Sequence, residues 1–174
     1  MLFVYKSVLK SIAAFGKWNI IPLLAGIAGR FTQELTLSRV YNPDSAGKER
    51  NTLTRGVVLA LRELMKQTEA NELTYDLTAF IAMSLFGIGR TIDTSVEAWE
   101  KRGYWVKADK FRLEWEWANL YAAQMREALV ADDWAKVAAT AARTAQKFGK
   151  INVPARNRLG TPWVGAWKEF KKAA

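Results

Sequence analysis

The chain has 174 residues, half of them apolar and a quarter charged, which is typical of a folded protein with one sizeable core and excludes extended disorder. Lysine and arginine exceed aspartate and glutamate by nine, and this surplus favours a nucleic acid or another anionic surface as partner. Cysteine and histidine are absent, which removes thiolate chemistry, the commonest general base and the commonest metal ligand, so we expect no catalytic centre, metal or cofactor.

Apolar residues at helical spacing predict two helices near the N-terminus, at about 2–17 and 22–37. The longest uncharged apolar run, 20–29, is about half the length that a membrane-spanning helix needs. The run has the length of a signal-peptide core, but Gly29-Arg30 after it is a poor cleavage site and cysteine is absent, so we predict a cytoplasmic protein. The lysines on the amphipathic first helix leave binding to a membrane surface as an alternative.

The middle of the chain is predicted to be a helical bundle. Residues 41–52 are rich in turn-forming residues and predict a connection, followed by helices at about 53–69, 74–102 and 105–131. Thr74 is the predicted N-cap of the second of these helices. The third has the alternating spacing of four and three that is typical of bundle core positions, at Phe111, Trp115, Ala118, Ala122, Met125 and Leu129.

The C-terminal part predicts one more long helix and a basic tail. Asp132 or Asp133 is expected to cap a helix over 134–150. A short amphipathic segment then carries Trp163, Trp167 and Phe170, which we expect to dock on the bundle; stacking on nucleobases is the alternative. The predicted architecture is an all-α bundle of about six helices in a single domain, 1–174, made of N-terminal helices (1–40), a core bundle (53–150) and a basic tail with a short helix (151–174).

Lysine and arginine form three groups that lie away from the predicted core: two repeat at helical spacing, the first of them continuing into an extended loop, and the third lies around a turn between helices. A helix that carries a cation on every turn can follow the phosphates of a nucleic acid through charge-assisted contacts, so we predict that these groups bind nucleic-acid backbone. The alternative is a hydrated surface without a ligand. The first group is Lys136, Arg143, Lys147, Lys150, Arg156 and Arg158; the second is Arg55, Arg62 and Lys66; the third is Lys101, Arg102, Lys107 and Lys110.

The segments LTRGVVLALRELMKQ, TSVEAWEKRGYWVKADKFRLEWEW and RLGTPWVGAW resemble the helical C-terminal region of the large subunit of CRISPR type I-D Cascade complexes. In that family the same region is also made separately, from an internal start, as the small subunit. A chain that opens directly into an apolar helix would suit such a start. The small subunits have no catalytic signature, so the resemblance assigns no residue and the candidate residues remain those of the three basic groups.

The resemblance implies a non-catalytic bundle, present in several copies within an RNA-guided complex of antiviral defence. Its partners would be nucleic acid (guide RNA, target strand or displaced non-target DNA strand) and other protein subunits, including further copies of itself. It would contact the backbone while guide pairing supplies specificity. The rival hypothesis is a helical scaffold or membrane-peripheral protein whose basic faces meet protein or lipid.

Overall fold

The computed structural model describes residues 43–154 and 156–173, which belong to the second of the two units into which the chain divides, Tyr41–Ala174. The helices predicted at 2–17 and 22–37 lie outside the described residues. Within the described ranges there are five helices and no strand, so the predicted all-α bundle is confirmed. The helices are α1 (Pro43–Leu64), α2 (Glu72–Glu100), α3 (Trp105–Val130), α4 (Trp134–Lys147) and α5 (Ala166–Ala173).

The connection predicted at 41–52 is wrong from Pro43 onward, because α1 begins there. Proline at the start of a helix loses no hydrogen bond, since the first four backbone N–H groups have no partner within the helix. Packing against the rest of the bundle then stabilises the first turns of α1, which the sequence did not predict. Ala46 is buried, and the guanidinium of Arg50 lies 4.9 Å from the centre of the Phe111 ring on α3.

α2 lies at the centre of the bundle and packs against α1, α3 and α5. The largest fully buried side chains of the helix are Leu77, Ile81, Leu85 and Ile88. Two glycines of this helix lie at close contacts with neighbouring helices. A Cβ atom at Gly89 would lie 1.8 Å from the Asn119 side chain of α3, and one at Gly87 would lie 3.0 Å from Leu53 of α1.

The start of α2 is capped by Asn71, three residues before the predicted cap. The Asn71 side chain accepts a hydrogen bond from the Thr74 backbone N–H at 3.0 Å, and the Thr74 hydroxyl accepts one from the Asn71 N–H at 3.4 Å. This is a capping box in which threonine takes the place usually held by glutamate. Thr74 therefore takes part in the cap, at its third helical position.

The last helix is fixed to the bundle by a carboxylate from α2. Asp76 accepts hydrogen bonds from the backbone N–H groups of Gly165, at 2.9 Å, and of Trp167, at 2.8 Å. These groups lie at the start of α5, where a negative charge also interacts favourably with the helix dipole. Trp163 and Phe170 are buried against the bundle, in agreement with the docking predicted for the tail.

Replacing Asp76 by alanine is expected to lower the free energy of unfolding by about 1–3 kcal/mol, because two backbone donors lose a charged acceptor. Urea denaturation followed by circular dichroism measures this change. Asp93→Ala removes an exposed carboxylate from the same helix and should change stability by less than about 0.5 kcal/mol. Equal effects of the two variants would contradict the assigned role of Asp76.

Candidate nucleic-acid interface

Two aspartates hold the start of α4, and one of them links it to α2. Asp133 caps the helix by accepting a hydrogen bond from the Lys136 backbone N–H at 2.9 Å, as predicted. Asp132 accepts hydrogen bonds from the Tyr75 hydroxyl, at 2.7 Å, and from the Trp134 indole, at 2.9 Å. The hydrogen bond to the carboxylate raises the pKa of Tyr75, because it stabilises the neutral phenol. These contacts set the rotation of α4 and hence the direction that its cations face.

Two cations of α4 lie over aromatic rings of α3. The guanidinium carbon of Arg143 lies 5.4 Å from the centre of the Tyr121 ring, and the Lys147 ammonium lies 5.8 Å from a ring centre of Trp117. Both cations remain exposed. A ring face attracts a cation without cancelling its charge. The two side chains are therefore held in position, and their positive charge still attracts anions from solvent.

The segment after α4 continues the positive surface. α4 ends at Lys147, a few residues earlier than predicted, so Lys150 lies in the following loop, where it is exposed. Arg156 and Arg158 are also exposed in this loop. We call the exposed cations of α4 and its following loop the basic face. Its members are Arg143, Lys147, Lys150, Arg156 and Arg158, and within the described part of the chain none of them forms a salt bridge.

The segment that carries two of these arginines contacts α1 at both of its ends. Arg62 of α1 donates a hydrogen bond to the Val153 carbonyl at 2.5 Å. One and a half turns earlier on α1, a Cβ atom at Gly56 would lie 4.0 Å from Pro162. Val153 and Pro162 therefore both contact α1. In this way the fold brings Arg62 of the second basic group beside the loop of the first.

Two predicted cations are paired with carboxylates. Lys136 forms a salt bridge with Glu127 at 3.0 Å, and Lys66 forms one with Glu63 at 2.8 Å. Pairing reduces the field that each cation presents to a ligand. The basic face does not depend on either residue.

The third basic group lies at the turn between α2 and α3. Its first member, Lys101, is paired with Glu97 at 2.7 Å. Lys107 lies over the Trp99 ring at 4.3 Å, and Lys110 is exposed. Lys110 precedes Trp117 by seven residues, so the two lie on one side of α3, about 10 Å apart along the helix axis. α4 ends near Trp117, and Lys110 continues the positive surface beyond that end.

The sequence analysis missed Arg50, which it assigned to a connection. Its guanidinium lies 4.9 Å from the Phe111 ring centre and 5.8 Å from a ring centre of Trp115. Burial lowers the pKa of Arg50, while the charge of Glu114 opposes that shift. One signal was present: with a helix starting at Pro43, Arg50 falls in phase with apolar positions of α1, namely Ala46, Leu53 and Val57.

Among the residues described, no three carboxylates come close enough together to hold a metal ion. None of the five helices has the length and apolar character that a membrane crossing requires. Comparison with known proteins gives no match to a family model, a curated protein or a solved structure.

Arg62→Met is expected to loosen the loop over α1, because the Val153 carbonyl loses its side-chain donor. Cleavage by trypsin after Arg156 and Arg158 should become several-fold faster, as mapped by mass spectrometry of a time course. Arg55→Met removes an exposed cation from the same face of α1 without removing that hydrogen bond. Equal acceleration in both variants would show that Arg62 does not hold the loop.

Proposed function

We propose that this chain is a non-catalytic helical subunit that binds nucleic-acid backbone without reading sequence. It acts within a multi-subunit, RNA-guided, DNA-targeting complex in the cytoplasm, in the manner of a Cascade small subunit. The basic face holds phosphates of the target or displaced strand, while guide pairing supplies specificity. Other surfaces of the bundle contact protein subunits, including further copies of this chain.

The observation that carries the proposal is the basic face itself. Arg143 and Lys147 are four residues apart and therefore lie on one side of α4, and Lys150 is exposed in the loop that follows directly. Cations without carboxylate partners attract phosphates more strongly than paired ones, and each phosphate contact releases condensed counterions from the nucleic acid. Two positions are further held by aromatic rings, which lowers the entropy lost when a phosphate binds.

The resemblance to Cascade small subunits supports the wider assignment. Such a subunit needs a surface that tolerates any sequence, and exposed lysine and arginine provide it because phosphates are the same at every base. Support for a non-catalytic role comes from the sequence, which lacks histidine and cysteine. The net charge of +9 agrees with a polyanion as partner.

Affinity for single-stranded DNA is expected to fall steeply with salt. If all five cations of the basic face contact phosphates, the slope of log K against log salt should be about −3.5, which corresponds to about a 100-fold loss between 50 and 200 mM salt. Fluorescence anisotropy with labelled strands of different sequence measures both the slope and the base preference. A slope near zero would contradict backbone binding; strong preference for one sequence would contradict sequence independence.

Reversing Arg143, Lys147 and Lys150 to glutamate together is expected to weaken binding at least about 10-fold and to flatten the salt slope by roughly two units. The helical circular-dichroism signal should stay intact, because the three side chains are exposed. The matched control reverses three exposed lysines of α5: Lys168, Lys171 and Lys172. It changes net charge equally and should weaken binding much less.

Two outcomes would favour the rival scaffold or membrane-peripheral function. One is an equal loss of nucleic-acid affinity in the triple variant and its control, which would show that net charge alone explains the effect. The other is absence of nucleic-acid binding at low salt, both for the isolated chain and for the assembled complex, together with binding to anionic vesicles. Unfolding of the triple variant would show that these cations are structural.

A further inference from the structure

Two large aromatic side chains project into solvent at the turn that joins α2 to α3. Tyr104 is 57% exposed and Trp105 is 60% exposed, and the next residue, Val106, is 71% exposed. Tryptophan is usually mostly buried, and an exposed apolar patch of this kind marks a binding surface more often than a plain hydrated one.

The turn holds the two rings in fixed positions. Gly103 has a φ of +79°, a conformation that glycine adopts without strain, and it allows α3 to begin two residues after it. The Tyr104 backbone N–H donates a hydrogen bond to the Trp99 carbonyl at 2.9 Å, which ties the turn to α2. Trp105 is the first residue of α3. Both exposed rings are therefore attached to well-defined backbone.

The rings border a groove of about 650 Å³ that is lined largely by aromatic side chains and by lysine. Trp99 and Phe111 form its inner wall, where their rings pack edge to face at 4.9 Å. Lys107 and Lys110 line it as well. A groove of this volume is within the range of small-molecule and cofactor sites, so it can accept planar groups of the size of a nucleobase.

The charge of the groove favours an anionic ligand. Its lining contains two lysines, Lys107 and Lys110, and one carboxylate, Glu114, so positive charge is in excess. An uncharged apolar helix of a protein partner would gain little from these cations. A ligand that combines planar rings with closely spaced negative charges satisfies both features of the groove.

We infer that the aromatic turn, defined as Trp99, Tyr104, Trp105, Lys107 and Lys110, stacks nucleobases of a single-stranded nucleic acid. This inference rests on the proposed function and deepens it, because it names the form of nucleic acid that is bound. Bases within a duplex are already stacked on each other and cannot lie on Trp105. The side of α3 that carries Lys110 leads toward the basic face, so one strand can place bases on the turn and phosphates on α4.

A bilayer surface is the main competing partner, since tryptophan, tyrosine and lysine also occur together at membrane interfaces. The groove is open, but its inner wall, Trp99 and Phe111, is only partly exposed, and this argues for bases. Its two cations, Lys107 and Lys110, lie beside aromatic rings, and Lys107 lies 4.3 Å from the Trp99 ring. A flat membrane would meet the rim of the groove and leave its inner wall unfilled.

The test compares two labelled strands of about 20 nucleotides with the full-length chain: oligothymidine and an abasic strand with the same phosphates. Stacking contributes about 1–3 kcal/mol per base, so Trp105→Ala should weaken binding of oligothymidine about 5- to 150-fold. Binding of the abasic strand should not change. The salt slope should also stay the same, because no charge is removed.

Three further variants separate stacking from general apolar contact. Trp105→Phe keeps a flat ring and should retain most of the affinity for oligothymidine, whereas Trp105→Leu keeps apolar area without the ring and should resemble Trp105→Ala. Leu113→Ala removes an equally exposed apolar side chain from the same helix and should have no effect. Retention of full affinity by Trp105→Leu would overturn the inference.

The remaining outcomes distinguish failure of the inference from failure of the proposed function. If Trp105→Ala binds oligothymidine like the wild type while the α4 triple variant does not, the aromatic turn does not stack bases and the backbone function stands. If the wild type binds neither strand, both fall. If Trp105→Ala loses only binding to vesicles of phosphatidylserine and phosphatidylcholine, the turn is a membrane contact and the inference is wrong.

Discussion

Burial of α2 is the constraint on which the rest of the described structure depends. Leu77, Ile81, Leu85 and Ile88 are inaccessible to solvent, and α1, α3 and α5 each pack directly on this helix. Because α2 takes up the apolar sides of its neighbours, their charged residues must face outward. Polar side chains of α2 also hold its neighbours. Asp76 caps α5, and Tyr75 donates a hydrogen bond to Asp132 at the start of α4. The position of the basic face is thus a consequence of the core.

Aromatic rings replace carboxylates as partners of several cations. Arg143, Lys147 and Lys107 lie over Tyr121, Trp117 and Trp99 respectively. A cation over a ring gains about 0.5–1 kcal/mol at an exposed site, enough to favour one position of a flexible side chain. A salt bridge such as Lys136–Glu127 also positions the side chain, but the carboxylate offsets its field. The aromatic residues of α3 therefore help to organise a surface that remains strongly positive.

The basic face and the aromatic turn divide two tasks under the proposed function. Exposed cations hold phosphates, whose attraction is long-range and independent of base identity. Planar rings hold bases, whose stacking is short-range and is available only when the strand is unpaired. A displaced DNA strand in an RNA-guided complex offers both features. α3 connects the two surfaces, because it begins at the aromatic turn and α4 packs against it.

The helices α2, α3 and α4 could be predicted because their buried residues repeat every three or four positions. This spacing is visible in the sequence even when the neighbouring helices are unknown. Local signals were less reliable. Proline and threonine occur at more than one position near a helix start, so the sequence predicted a connection at 41–52 and an N-cap at Thr74. In the structure, packing of Ala46 allows α1 to begin earlier. The hydrogen bond to Asn71 makes that residue the N-cap of α2. The aromatic residues of the tail have amphipathic spacing, and they pack on the bundle as that spacing predicts.

The sequence by itself determined that the described part of the chain is helical, that Ala118, Ala122 and Met125 of α3 lie in its core, and that the chain carries excess positive charge. Only the tertiary structure decided which cations remain without carboxylate partners. Lys136 and Lys147 belong to one predicted group, yet the first meets Glu127 and the second lies over Trp117. The physical reason is that a charge pattern along one helix does not specify which residues the neighbouring helix will place against it.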